Sequence, residues 1–254
     1  MTSQPASVWT LVLIGVVGVP ALATTALYRG ARASGAARRT ARALAAASAV
    51  AFTAWAGAAT LLADATAFSD DGRAAPWFGA AFAAMLAGLL LATRIPVVAR
   101  ALRAPGIERW LVAPHAVRVV GIVFVLVLLR GDLPAVFALP AGLGDVAVGI
   151  SALMLLRTRA DRREQLPRFH LLGTLDLAVA LAIGFLAGLG PYRPFDVSPS
   201  TEALSLLPLA LVPTVAVPTA IALHVVALMR PSRAVRRPST VTAPAAAGAP
   251  PLRG

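Results

Sequence analysis

The sequence contains no cysteine and no lysine among its 254 residues. Without cysteine, disulfide bonds, thiolate metal sites, iron–sulfur clusters and cysteine nucleophiles are excluded. Without lysine, the chain cannot form a retinal Schiff base and cannot carry a lysine-dependent phosphate-binding loop. These absences remove several classes of enzyme and of cofactor-binding protein.

Charged residues of either sign are scarce, at 13% of the chain, whereas 58% of the residues are hydrophobic. This balance is far from that of a soluble domain. All 23 basic residues are arginines, and the formal net charge is +12. Because nearly all of them fall in short segments between long apolar runs, they indicate membrane topology and no nucleic-acid partner.

Long apolar runs dominate the rest of the chain. A helix needs roughly 20 apolar residues to cross a hydrocarbon core about 30 Å thick. Seven runs approach that length, at residues 8–28, 43–63, 75–92, 111–129, 135–156, 169–190 and 204–229. The sequence therefore predicts an all-α transmembrane fold, a seven-helix bundle within residues 1–229, with the lipid bilayer as its partner.

The arginines also predict an orientation, because short cytoplasmic loops are enriched in basic residues. Nineteen of the 23 arginines follow the first, third, fifth and seventh runs, while the other connections hold six acidic residues against three arginines. We expect a multi-pass protein of the cell membrane with its N-terminus outside and its C-terminus in the cytoplasm. Residues 230–254, which lack apolar periodicity, are predicted to form a disordered cytoplasmic tail.

Five ionisable residues within the predicted spans form a candidate site. Such groups cost about 2.5 to 3.5 kcal/mol each on insertion scales, so each needs a partner or a function. At about 1.5 Å per residue, all five lie in the cytoplasmic half of their spans or near the midplane. They are His115, Arg118, Asp145, Asp176 and His224. The sequence predicts one intramembrane polar cluster. Its favoured role is a packing salt bridge between Arg118 and Asp176 or Asp145, and the alternative is a proton relay.

The chain has three histidines, and all lie near the cytoplasmic ends of their predicted spans. Metal coordination needs groups that converge on one point. We expect only His115 and His224 to approach each other, with His170 apart from them. The sequence therefore predicts no metal site, and nothing in it implies a cofactor.

The last predicted span carries Pro208, Pro213 and Pro218 at five-residue spacing. Each proline removes a helical donor and frees an upstream carbonyl, so we expect a kinked or locally unwound helix. Thr214 and Thr219 are placed to satisfy the freed backbone groups. Broken helices line binding sites in transporters, but proline kinks are also frequent in ordinary transmembrane helices.

The segment Gly142-Leu143-Gly144-Asp145 resembles the GxGD signature of intramembrane aspartyl proteases. In that family two membrane-embedded aspartates share a proton and activate water, and the resemblance implies Asp145 and Asp176 as the catalytic pair. The order departs from the family, in which the GxGD aspartate is the second of the pair along the chain. Close glycine packing is an equal explanation for Gly142 and Gly144.

The stretch from Leu133 to Asp145, with the proline-rich last span ending near His224, resembles a group of uncharacterised bacterial multi-pass membrane proteins of no assigned activity. For function, the sequence favours a small proton-linked transporter or permease-like protein that handles protons or a small polar solute. The alternatives are a non-catalytic membrane sensor or structural subunit and a GxGD-type protease, so an enzyme is the less favoured class.

Overall fold

The structure is a computed structural model, and it describes residues 4–70, 73–74, 76–158, 165–189 and 194–230. These residues are predominantly helical, and two strands of two residues each, Ser69–Asp70 and Arg73–Ala74, pair antiparallel. The prediction of an all-α fold is confirmed at this level. The predicted disordered tail lies outside the described residues, except for its first residue, Arg230.

We number the helices in chain order and treat consecutive helical segments without a break as one helix. They are α1 (Ala6–Ala33), α2 (Arg38–Asp64), α3 (Pro76–Ala92), α4 (Pro96–Leu102), α5 (Glu108–Leu129), α6 (Ala135–Arg157), α7 (Gln165–Gly184) and α8 (Val212–Leu228). A π-helical turn, Phe185–Leu189, extends α7, and a 3₁₀ turn, Thr201–Ser205, precedes α8.

Five helices are long and apolar enough to cross a membrane: α1, α2, α5, α6 and α7 with its extension. Helices α3 and α4 meet this test only together, and a bend of 85° separates them. Helix α8 is apolar but shorter. Within the residues that the structure describes, there are thus five helices of spanning length, or six if the bent pair is one broken span. The count of seven and the orientation stay predictions.

The start of the last helix differs from the prediction, which extended a single span over residues 204–229. Helix α8 begins at Val212, and its first turn, Val212–Ala216, is π-helical. The physical reason is proline, which lacks a backbone donor and is tolerated best in the first turn of a helix. Pro213 is the second residue of α8, and Pro208 lies before it. The expected local unwinding is confirmed.

Side chains complete the backbone hydrogen bonding around this unwound turn. Thr214 Oγ1 donates to the Ala210 carbonyl at 2.6 Å, and Thr219 Oγ1 donates to the Val215 carbonyl at 2.7 Å. Neither carbonyl lies four residues before a proline, so the threonines do not take the predicted role. Pro218 cannot donate to the Thr214 carbonyl four residues before it. The indole Nε1 of Trp55 on α2 takes this role at 2.9 Å. Helix α2 is therefore joined to α8 at the kink.

Helices α5 and α6 pack closely because glycines face the partner helix. A Cβ at Gly149 would lie 2.6 Å from the backbone nitrogen of Val119, and one at Gly142 would lie 2.9 Å from Val125 Cγ2. Small residues allow such close approach of backbones in helix pairs. Helix α1 packs against α2, α4 and α5, and α7 packs between α6 and α8. This arrangement places α5 at the centre of the bundle.

Candidate functional site

Arg118 on α5 is the centre of a buried polar cluster, and its side chain is only 5% exposed. Its Nε donates to Asp145 Oδ1 on α6 at 2.7 Å, and its Nη2 lies 2.6 Å from the same oxygen. Nη2 also donates to Asp176 Oδ2 on α7. The planar guanidinium thus joins carboxylates from two other helices, a geometry for which arginine is suited.

A second branch of the cluster consists of histidines. Arg118 Nη1 lies 3.4 Å from Nε2 of His224 on α8. Because a guanidinium only donates, this nitrogen accepts, and a neutral His224 carries its proton on Nδ1. That Nδ1 lies 2.9 Å from Nδ1 of His170 on α7 and donates to it. A continuous hydrogen-bonded chain therefore runs from Asp145 through Arg118 and His224 to His170.

His115 completes the cluster by stacking, without hydrogen bonds. Its ring lies parallel to that of His224, with centroids 3.7 Å apart and planes inclined by 15°. The residue is 1% exposed, and within the described part of the chain neither ring nitrogen has a hydrogen-bond partner. The Phe169 ring lies 5.7 Å from that of His115 and 5.0 Å from that of His170. The apolar ring of Phe169 thus packs against both imidazoles.

The local conformation of α5 aligns the groups it contributes. Residues Ala113–Ile122 form a 3₁₀ segment within the helix. With three residues per turn, side chains three apart lie directly above one another. His115, Arg118 and Gly121 therefore form one row along α5. All three positions are buried, and all three face the cluster.

Three glycines make the space into which the functional side chains fit. A Cβ at Gly121 would overlap the side chain of Asp145, one at Gly144 would overlap the carboxylate of Asp176, and one at Gly173 would overlap the imidazole of His224. Helix packing and site geometry are therefore set by the same positions. Gly144, which precedes Asp145 in the chain, makes room for the carboxylate of Asp176 and not for that of Asp145.

The structure places all five residues of the predicted cluster together: His115, Arg118, Asp145, Asp176 and His224. It also corrects the expectation for the third histidine. One ring nitrogen from each of His115, His170 and His224 lies within 4.8 Å of the other two, so His170 is not apart from the other histidines. The sequence signal that could have placed His170 in the cluster is its three-residue spacing from Gly173, because both residues lie on the buried face of α7.

Two small cavities adjoin the carboxylate end of the cluster. One of about 50 Å³ is lined by Arg118, Asp145 and Leu177, among others. The other, of about 40 Å³, contacts Asp145 and Pro213 and extends toward Gly184 and Leu204. Each has room for about one ordered water. Of the three prolines singled out in the sequence, Pro213 therefore lies closest to a possible solvent path, beside the carboxylate of Asp145.

The geometry bears on the protease resemblance. An aspartic protease needs two carboxylates that share a proton and hold a water between them. Here Arg118 bonds to both Asp145 and Asp176, so the guanidinium occupies the place between the carboxylates. Gly142 and Gly144 are accounted for by packing against α5 and Asp176. We therefore do not propose proteolysis as the function.

The fold and site define an all-helical protein with several apolar helices of membrane-spanning length around a buried cluster of arginine, aspartate and histidine. The family described as a domain of unknown function (DUF8737) matches residues 75–230, more than half of the chain, and the chain belongs to this family. The matched region contains the whole cluster. No curated protein and no solved structure matches the chain.

Proposed function

We propose that this chain is a multi-pass protein of the cell membrane, with seven spans, its N-terminus outside and its C-terminus in the cytoplasm. In this proposal it acts as a small proton-linked transporter or permease-like protein. Its solute is a small polar molecule or ion. The carboxylates of Asp145 and Asp176 are the groups that take up and release the proton.

The observation that carries the proposal is an excess of negative charge on two partly buried carboxylates, whose side chains are 16% and 19% exposed. Two carboxylates share one guanidinium, so with neutral histidines the cluster has a net charge of −1. An uncompensated charge in a low-dielectric region is costly, and binding of one proton to either carboxylate neutralises the excess negative charge. A cluster built only for packing needs one carboxylate for one arginine. The second carboxylate provides a proton site.

The position of the cluster supports a proton path to both sides of the membrane. From Asp145, the smaller cavity extends toward Gly184 and Leu204, at one end of the bundle. From Arg118, the chain of hydrogen bonds runs through His224 to His170, toward the other end. In the proposed orientation these ends face outside and cytoplasm, respectively. Each carboxylate faces Arg118 from α5 and the other carboxylate.

The test is proton flux in liposomes containing purified protein and a trapped pH-sensitive dye. A pH gradient is imposed, and a panel of amino acids, sugars and inorganic ions is added in turn. We expect at least one solute to accelerate proton movement. Asp145→Asn and Asp176→Asn should abolish this acceleration, while Asp64→Asn, at the exposed end of α2, should leave it unchanged.

Absence of any solute-dependent or gradient-dependent flux across the panel would end the transport proposal. The competing function is that of a non-catalytic sensor or structural subunit, and one observation favours it: Arg118 is bonded to both carboxylates. In that case the protein should copurify with a second membrane protein, and both aspartate variants should disturb folding instead of flux.

A further inference from the structure

We propose that His115, His170 and His224 form a binding site for one divalent transition-metal ion, with Zn²⁺ as the best match. Three features support this site: the convergence of the imidazoles, the unpaired nitrogens of His115 and the surrounding charge. It does not depend on whether the protein transports a solute.

The convergence itself is unusual for this chain. Its only three histidines come from three helices, α5, α7 and α8, and their nitrogens lie within 4.8 Å of one another. All three side chains are at most 4% exposed. Neutral imidazole is a preferred ligand of Zn²⁺, and three histidines with a fourth open position form a common coordination set.

His115 supplies the observation that points to a ligand. A buried polar group without a hydrogen bond is costly, and this residue buries two such nitrogens that find no partner among the described residues. In the structure its ring is stacked on that of His224, so its lone pairs do not yet point to the other two rings. Turning the ring toward them breaks no hydrogen bond and gives one nitrogen a metal ligand.

The other two histidines already face each other. Their Nδ1 atoms are 2.9 Å apart, whereas two nitrogens on one tetrahedral zinc are separated by roughly 3.3 Å at ordinary Zn–N distances. A small opening of this pair therefore admits the ion. The ion takes the place of the proton on His224 Nδ1, and that proton moves to Nε2 of the same ring. His224 therefore stays a neutral ligand, and Arg118 Nη1 no longer donates to its Nε2.

The charge around the site is compatible with a cation. The Arg118 guanidinium lies next to His224, but Asp145 and Asp176 more than balance its charge, which leaves the neighbouring group of three negative. Phe169 lies against all three imidazole rings, and the three histidines are buried. Apolar surroundings of this kind limit solvent access and strengthen electrostatic interactions within a metal site.

The test measures Co²⁺ and Zn²⁺ binding to protein purified in detergent with a tag other than polyhistidine. We expect one Co²⁺ per chain, with the visible absorption of a four-coordinate site that has three nitrogen ligands and one open position, and displacement by Zn²⁺. The key variant is His115→Phe, which keeps an aromatic ring stacked on His224 and removes only the two unpaired nitrogens. It should retain thermal stability and lose at least about tenfold in metal affinity.

His170→Phe should weaken binding in the same way, whereas Asp64→Asn should bind like the unmodified chain. The proposal is overturned if the unmodified protein takes up no Co²⁺ or Zn²⁺, or if a folded His115→Phe variant binds either ion with unchanged affinity. Since binding is measured without a membrane gradient, its failure leaves the transport proposal standing, and a failure of flux leaves the metal site standing.

Discussion

Gly144 on α6 lies directly against the carboxylate of Asp176 on α7, so that a methyl group at this position would overlap the carboxylate oxygen. The carboxylate in turn bonds to Arg118 on α5. One missing side chain therefore lets three helices meet at a charged contact. This packing explains why the second glycine of the GxGD-like segment is a glycine.

Gly144→Ala should destabilise the protein, because either the helices must separate or Asp176 must leave Arg118. Overpacking of this kind costs about 1 to 3 kcal/mol, and the measurement is unfolding temperature in detergent. The matched control is Gly88→Ala on α3, where nothing lies within 4 Å of the added methyl group. Equal stability of the two variants would contradict the close contact.

Removal of Arg118 should cost far more than removal of one carboxylate. Arg118→Gln leaves two partly buried carboxylates without a counterion, and breaking an ion pair in this way costs up to about 5 kcal/mol. Asp176→Asn leaves Arg118 paired with Asp145, and we expect its stability within about 1 kcal/mol of the unmodified protein. Both are measured by chemical unfolding in micelles.

The combination of the two changes is informative as well. Adding Asp176→Asn and Asp145→Asn to Arg118→Gln should recover much of the lost stability, because no unpaired charge remains. If Asp176→Asn alone is as damaging as Arg118→Gln, the second carboxylate is part of a required packing contact. The argument for a proton site would then fail.

Trp55→Phe should weaken the junction between α2 and α8. The indole is the donor to the Thr214 carbonyl, which Pro218 leaves without its helical partner. Loss of this hydrogen bond should cost about 1 kcal/mol. In the background of Pro218→Ala, which restores a backbone donor, the same change should cost less. Equal cost in both backgrounds would show that the indole acts only by packing.

The orientation can be tested because the chain has no cysteine of its own. Ala33→Cys and Ala65→Cys place single thiols at exposed positions on the two sides of α2. A maleimide that cannot cross the membrane should label Ala65→Cys in intact cells and Ala33→Cys only after lysis. The reverse pattern would mean that the N-terminus is in the cytoplasm. Labelling of both in intact cells would mean that α2 does not span.

The sequence was informative wherever a local rule applies. Apolar runs predicted the helices because lipid requires length and hydrophobicity, and both can be read without knowing any contact. The proline rule predicted the unwinding of α8, although the helix begins at Val212 instead of residue 204. Within α5, the three-residue spacing of His115 and Arg118 is typical of one helix face, and the 3₁₀ segment aligns them further.

What the sequence by itself determined is therefore the helical class, the apolar segments and the short set of polar residues that need partners. Only the tertiary structure decided which partners they have. Arg118 bonds to both aspartates because α6 packs against both α5 and α7 and so brings Asp145 and Asp176 to the same guanidinium. His170 joins His115 and His224 because Gly173 lets α8 approach α7. Such contacts depend on the depth and rotation of separate helices, which packing sets and a one-dimensional pattern does not encode.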